Sequence, residues 1–131
     1  MTPSHSGLRT KLGQARGLGS AKEGTHHWWM QRVTAIALVP LTLWFVITII
    51  GVAGADYAQA TALLGNPLVA VLMVLTIVAT FYHAQLGLQV VYEDYIANHW
   101  LRLVVDLGTK FGCFALAVAA IFAVLKIAFE G

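Results

Sequence analysis

Phe81-Tyr82-His83-Ala84-Gln85-Leu86-Gly87-Leu88-Gln89-Val90-Val91-Tyr92-Glu93-Asp94-Tyr95 decides the architecture of this chain. It closes a run of 36 residues, Tyr57 to Tyr92, that contains no Asp, Glu, Lys or Arg. A stretch of about 20 apolar residues crosses the hydrocarbon core of a bilayer as a helix. The run ends abruptly at Glu93-Asp94, as a segment leaving lipid for water does. Within it stands His83, the only histidine inside an apolar segment of the chain. An ionisable side chain at membrane depth is a functional-site hypothesis in itself, because hydrocarbon offers it no partner.

Two further apolar runs flank this one. Val33 to Ala55 gives 23 residues without a charge, and Phe111 to Leu125 gives 15, with Ile127-Ala128-Phe129 beyond Lys126. The spans expected are about 31–54, 67–92 and 102–128. Of the 131 residues, 59% are hydrophobic and 11% charged, against about 25% charged in soluble domains. The expected fold class is an all-α membrane protein with three transmembrane helices. The net charge of +2 makes no case for nucleic acid, and the single Cys113 excludes an internal disulfide.

Residues 1–30 form a basic, glycine-rich segment, with Arg9, Lys11, Arg16 and Lys22 against Glu23. It is either a topogenic tail or a strap that orders against a soluble partner, and residues 31–131 form the membrane anchor. No cleavable signal peptide is expected, because the first apolar run is too long for one. Five basic residues, counting Arg32, precede span one, and Arg102 and Lys110 follow span two. The loop between spans one and two has Asp56 and no basic residue. The positive-inside rule then places the N-terminus in the cytoplasm and the C-terminus across the membrane. Trp28 and Trp29 suit the membrane interface. Pro40 is expected to bend span one, and Pro67 to sit in the first turn of span two.

Asp94 follows His83 by 11 positions, about 20° from a whole number of helical turns and about 16 Å along the axis. Gly87, one turn from His83, leaves room for a bulky group. Imidazole is a recognised haem axial ligand, and the alternative is a histidine hydrogen-bonded to a neighbouring helix. Arg32, at the edge of span one, contacts lipid phosphate or pairs with a haem propionate, for which a guanidinium is well shaped. His27, like His26, either assists it or is interfacial. Tyr95 is an interfacial anchor or a hydrogen-bond donor to a quinone carbonyl, with Asp94 able to feed protons. Arg102, Asp106 and Lys110 share one helical face, so Asp106 can pair with either base.

The order Arg32-Val33-Thr34-Ala35, then His83-Ala84 with Gly87, then Asp94-Tyr95 resembles the small hydrophobic membrane anchor of bacterial succinate dehydrogenase, the D-type subunit. The resemblance runs over about residues 27–128, and the His83–Asp94–Tyr95 spacing is its most specific part. It implies that His83 is an axial ligand of haem b, shared with a cytochrome b subunit that supplies the other ligand. It implies that Arg32 lies near the haem propionates and that Tyr95 hydrogen-bonds ubiquinone, with Asp94 its acidic neighbour. The partners implied are the cytochrome b anchor, iron–sulfur and flavoprotein subunits, together with membrane lipid, in the bacterial inner membrane.

The chain on this reading is a non-catalytic subunit of an enzyme, with no flavin site or iron–sulfur ligands of its own. Two alternatives stand beside it. One is the anchor of a fumarate reductase, and the other is a haem-free structural or assembly membrane protein.

Overall fold

Hydrocarbon leaves a backbone N–H no partner outside its own segment, so apolar runs of this length become helices. The computed structural model describes residues 22–130, and it contains four helices and no strand among them. They are α1 (Lys22–Val52), α2 (Tyr57–Leu64), α3 (Pro67–Tyr95) and α4 (His99–Glu130). Three are long and apolar enough to cross a membrane, over Gly24–Val52, Pro67–Tyr95 and His99–Glu130. The chain is therefore an all-α membrane protein. The greater part of the basic N-terminal segment, and with it the choice between tail and strap, lies outside the described residues.

Each long helix extends past its charge-free run. Helix α1 already includes His26-His27-Trp28-Trp29, and α4 begins at His99, ahead of Arg102. A helix needs no apolar residue to continue into water; it needs only that nothing breaks it. α1 also runs through Pro40 without interruption. Ile36 loses the amide that would normally meet its carbonyl.

Three threonines inside the spans satisfy themselves locally. The hydroxyls of Thr34, Thr48 and Thr76 donate to the carbonyls of Met30, Trp44 and Leu72, four residues back, at 2.6, 2.7 and 2.7 Å. A hydroxyl bonded this way enters lipid without an orphan donor.

The connections are tightly specified. Gly54 takes a φ of 85° after α1, a conformation that costs other residues about 1–2 kcal/mol. Asp56 then caps α2: its carboxylate accepts from the Gln59 amide at 2.8 Å, and the Gln59 side chain accepts from the Asp56 amide at 3.4 Å. Asn66 caps α3 by accepting from the Leu68 amide at 2.9 Å, with Pro67 at the start of the helix. Asn98 caps α4 by accepting from the Trp100 amide at 3.0 Å.

Helix α3 is the centre of the arrangement. It packs on α1 along one side and on α4 along the other, and α1 and α4 do not pack comparably on each other. Its buried positions include small residues, Ala70 and Ala79, which let helices approach in a membrane, along with Thr76, Leu86 and Tyr92. Large apolar side chains such as Ile36, Ile47, Phe111 and Phe122 face outward. In lipid such exposure carries no hydrophobic penalty.

Candidate functional site

The seam between α1 and α3 holds the first polar cluster. His27, Gln31 and Thr34 are spaced by four and three residues, so they line one face of α1. Thr34 is buried, with 6% of its surface exposed. Its hydroxyl oxygen lies 3.0 Å from Nδ1 of His83 on α3. A histidine at membrane depth thus meets a hydroxyl from the neighbouring helix, through one of its two ring nitrogens. One turn along α3, the side-chain amide of Gln31 is the nearest group in front of Gly87. A Cβ built on Gly87 would stand 3.9 Å from the Gln31 Nε2, which is ordinary contact. The face at Gly87 is bordered by the end of one flexible side chain.

Two atoms of this seam are buried without a hydrogen-bond partner, Nε2 of His27 and Oε1 of Gln31. An unpaired buried polar atom costs about 1–3 kcal/mol. Nε2 of His83 is not one of these buried atoms, and it makes no hydrogen bond among the described residues. These atoms bear on whether the residues suit a haem. They supply an imidazole nitrogen on His83 free to ligate, and a buried, unpaired ring nitrogen on His27 in the same seam. The donor set fits the group.

Arg32 is not part of the seam. It precedes Thr34 by two residues, about 200° around the helix, and it is exposed. Its guanidinium lies over the Trp28 ring at 5.4 Å from the centroid, and Trp28 meets Trp29 edge-on at 5.3 Å. The three side chains form a cation–aromatic stack at the entry of α1, and the described residues do not bring Arg32 to His83.

The second polar cluster is at the far end of α3. Gln85 donates to Gln89 at 3.3 Å, and Gln89 donates to Glu93 at 2.8 Å, a ladder of side chains one turn apart. α3 continues unbroken from His83 to Tyr95, so Asp94 does stand nearly over His83 on the helix. Asp94 is exposed, and Tyr95 keeps 85% of its surface open. Neither side chain has a hydrogen-bond partner among the described residues, which leaves both free for a ligand or a neighbouring chain.

Sequence reasoning missed Tyr92. Its hydroxyl donates to Asp106 of α4, and the other Asp106 oxygen takes Lys110 at 3.0 Å. Arg102, the other base considered for Asp106, turns back instead. Its Nε and Nη2 both donate to the Ile96 carbonyl, at 3.1 and 2.9 Å. The signal available in the sequence was Asp106 itself, an acid near membrane depth that needs more than one partner.

Beside this cluster the α3–α4 seam opens into a cleft of about 210 Å³ whose lining includes Gln89, Tyr92, His99 and Asp106. A larger apolar groove of about 410 Å³ continues along the same two helices past Phe81, Tyr82, Cys113 and Phe114.

Residues 6–125 match the family described as succinate dehydrogenase/fumarate reductase transmembrane subunit. The match begins well ahead of residue 27, so it takes in most of the N-terminal segment as well as the motif. The chain is 36% identical over 117 residues to the succinate dehydrogenase hydrophobic membrane anchor subunit of Rickettsia bellii, covering 89% of this chain and 94% of that protein. It is 32% identical over 113 residues to the protein of the same description from Paracoccus denitrificans, covering 86% and 87%. The succinate dehydrogenase membrane anchor subunit of Reclinomonas americana is 28% identical over 86 residues, 63% of this chain and 72% of that one.

Proposed function

The chain belongs to the succinate dehydrogenase/fumarate reductase transmembrane subunit family, and from that membership we propose that it is a succinate dehydrogenase membrane anchor in which His83 ligates a b-type haem and Tyr95 binds quinone. The observation that carries the haem assignment is the state of His83. It lies within a span, its Nδ1 is held by Thr34 at 3.0 Å, and its Nε2 has no partner among the described residues.

A haem-free structural role also asks for an interhelical hydrogen bond at this histidine. That bond engages Nδ1 alone, and the second nitrogen stays free. A purely structural histidine in lipid has reason to use both, since each unpaired polar atom is costly there. Nε2 of His83 would hold the iron, and His27 would offer its free nitrogen to a propionate. Arg32 faces another direction and would meet a propionate only from the outer side of α1. The haem, when bound, supplies one-electron chemistry at the membrane. A second ligand would come from a cytochrome b anchor subunit, as the likeness to the succinate dehydrogenase anchor implies.

At the end of α3, the Tyr95 phenol donates a hydrogen bond to a quinone carbonyl, and Asp94 delivers protons from the aqueous side. Ubiquinone is the substrate. The basic residues of the 1–30 segment and of Arg102 and Lys110 support a cytoplasmic position for this end in a bacterial inner membrane, where the flavoprotein and iron–sulfur subunits would dock. The outward apolar faces of α1 and α4 meet lipid and the cytochrome b subunit.

Absorption spectra of the purified complex test this directly. The wild-type complex should show a b-type haem, and the His83→Ala complex should lose it. A b-type signal of unchanged size and position in His83→Ala removes the assignment.

A further inference from the structure

We infer that Thr34 is a positioning residue for His83: its hydroxyl holds the imidazole in the Nδ1–H tautomer and leaves Nε2 as the metal-facing lone pair. The inference rests on the haem reading above and gives Thr34, there only a contact of His83, a role of its own.

The hydrogens available at Thr34 decide the tautomer. A threonine hydroxyl has one proton and two lone pairs. The Thr34 oxygen lies 2.6 Å from the Met30 carbonyl oxygen. Two oxygens approach so closely only with a hydrogen between them, and the carbonyl has none to give. The Thr34 proton is therefore committed to Met30. Toward Nδ1 of His83, at 3.0 Å, the Thr34 oxygen has only a lone pair to offer. The hydrogen in that contact must come from the imidazole. Neutral imidazole carries one N–H, so placing it on Nδ1 leaves Nε2 bare.

The Met30 carbonyl, Thr34 hydroxyl and His83 ring thus form a directed chain, each member donating to the one before it. The arrangement does two things for a ligand. It selects the tautomer and fixes the plane of the ring, and by accepting from Nδ1–H it makes Nε2 a stronger donor. Thr34 is buried and anchored on α1, so the second helix orients a ligand carried by α3.

The test uses the full complex with Thr34→Val, Thr34→Ala and Thr34→Ser beside wild type and His83→Ala. The readouts are the haem-to-flavin ratio and the reduction potential of the haem. Hydrogen-bond partners behind a metal-ligating histidine are worth about 10–100-fold in affinity. Thr34→Val and Thr34→Ala should lose haem by about tenfold or more under dilution, and the haem that remains should have a raised potential, since a weaker donor favours ferric iron less. Thr34→Ser keeps the oxygen and should match wild type on both readouts.

Wild-type haem content and potential in Thr34→Val and Thr34→Ala would overturn the inference. So would equal losses in all three variants, because Ser keeps the hydroxyl and Val keeps the methyl, and the effect then belongs to the fit of the whole side chain. Poor assembly of Val and Ala with an unchanged ratio in what does assemble gives the hydroxyl a packing role only, and also overturns it. His83→Ala separates the two levels. If it retains the haem signal, the haem reading itself fails; if it loses the signal while Thr34→Val stays normal, only the role of Thr34 fails.

Discussion

Tyr92 on α3 and Asp106 on α4 are joined by a hydrogen bond from phenol to carboxylate, and Lys110 closes the other side of the same acid. This is the polar tie of the α3–α4 seam, and Tyr92 is among the most buried residues of the chain, with 6% of its surface exposed. A hydrogen bond to a charged acceptor contributes about 1.5–3 kcal/mol, whereas a largely exposed ion pair contributes about 0–1. Tyr92→Phe should therefore destabilise the anchor more than Lys110→Ala does. Thermal unfolding of the detergent-solubilised complex compares the two, and a larger loss from Lys110→Ala would reverse the ranking.

Arg102 fastens the turn between α3 and α4 through two donors on one carbonyl of Ile96. Lysine has a single point of attachment and cannot reproduce the fork. Arg102→Lys should loosen residues 96–98, seen as faster amide exchange there by about threefold to tenfold, an effect of about 1 kcal/mol. The haem spectrum should not change. Exchange at the wild-type rate would mean that the fork does not hold the turn.

The α1–α2 connection makes a separate prediction. Asp56→Ala removes the cap on α2 and should cost about 1 kcal/mol. Gly54→Ala forces a side chain into a left-handed conformation and should cost about 1–2 kcal/mol. Both act far along the chain from His83 and Tyr95, so quinone reduction per assembled complex should stay at wild type. Melting curves and turnover on the same preparations separate the two effects.

Tyr95 is exposed and unpartnered among the described residues, so it does little for the fold. Tyr95→Phe should leave stability within about 0.5 kcal/mol of wild type. Quinone reduction should fall by about tenfold, the worth of one hydrogen bond of about 1.4 kcal/mol. Steady-state turnover with a soluble quinone, and binding of a quinone-site inhibitor, read this out. Unchanged turnover and inhibitor binding would return Tyr95 to the role of an interfacial anchor.

How Gly87 and Asp106 behave shows where local reasoning stops. Gly87 leaves room on its face of α3, and the group that borders this room is Gln31, 56 positions away in the chain. Asp106 was expected to choose between Arg102 and Lys110 on its own helix. It takes Lys110, and its second partner is Tyr92 from α3. In both cases the deciding neighbour belongs to another helix, and spacing along one helix carries no information about it.

The amino-acid sequence alone determined that three long helices form, because charge-free runs in lipid have no other way to satisfy their backbones. It also set the spacing of His83, Asp94 and Tyr95 along one unbroken helix, which is a property of helical rise and turn. Only the tertiary structure decided that α3 is central, that Thr34 meets His83, that Arg32 turns away from it, and that Tyr92 binds Asp106. The reason is that spans apolar on nearly every side give no amphipathic stripe to mark the packed face. Which residues then touch is decided by small side chains and a few polar atoms in close approach, and those distances exist only once the helices are assembled.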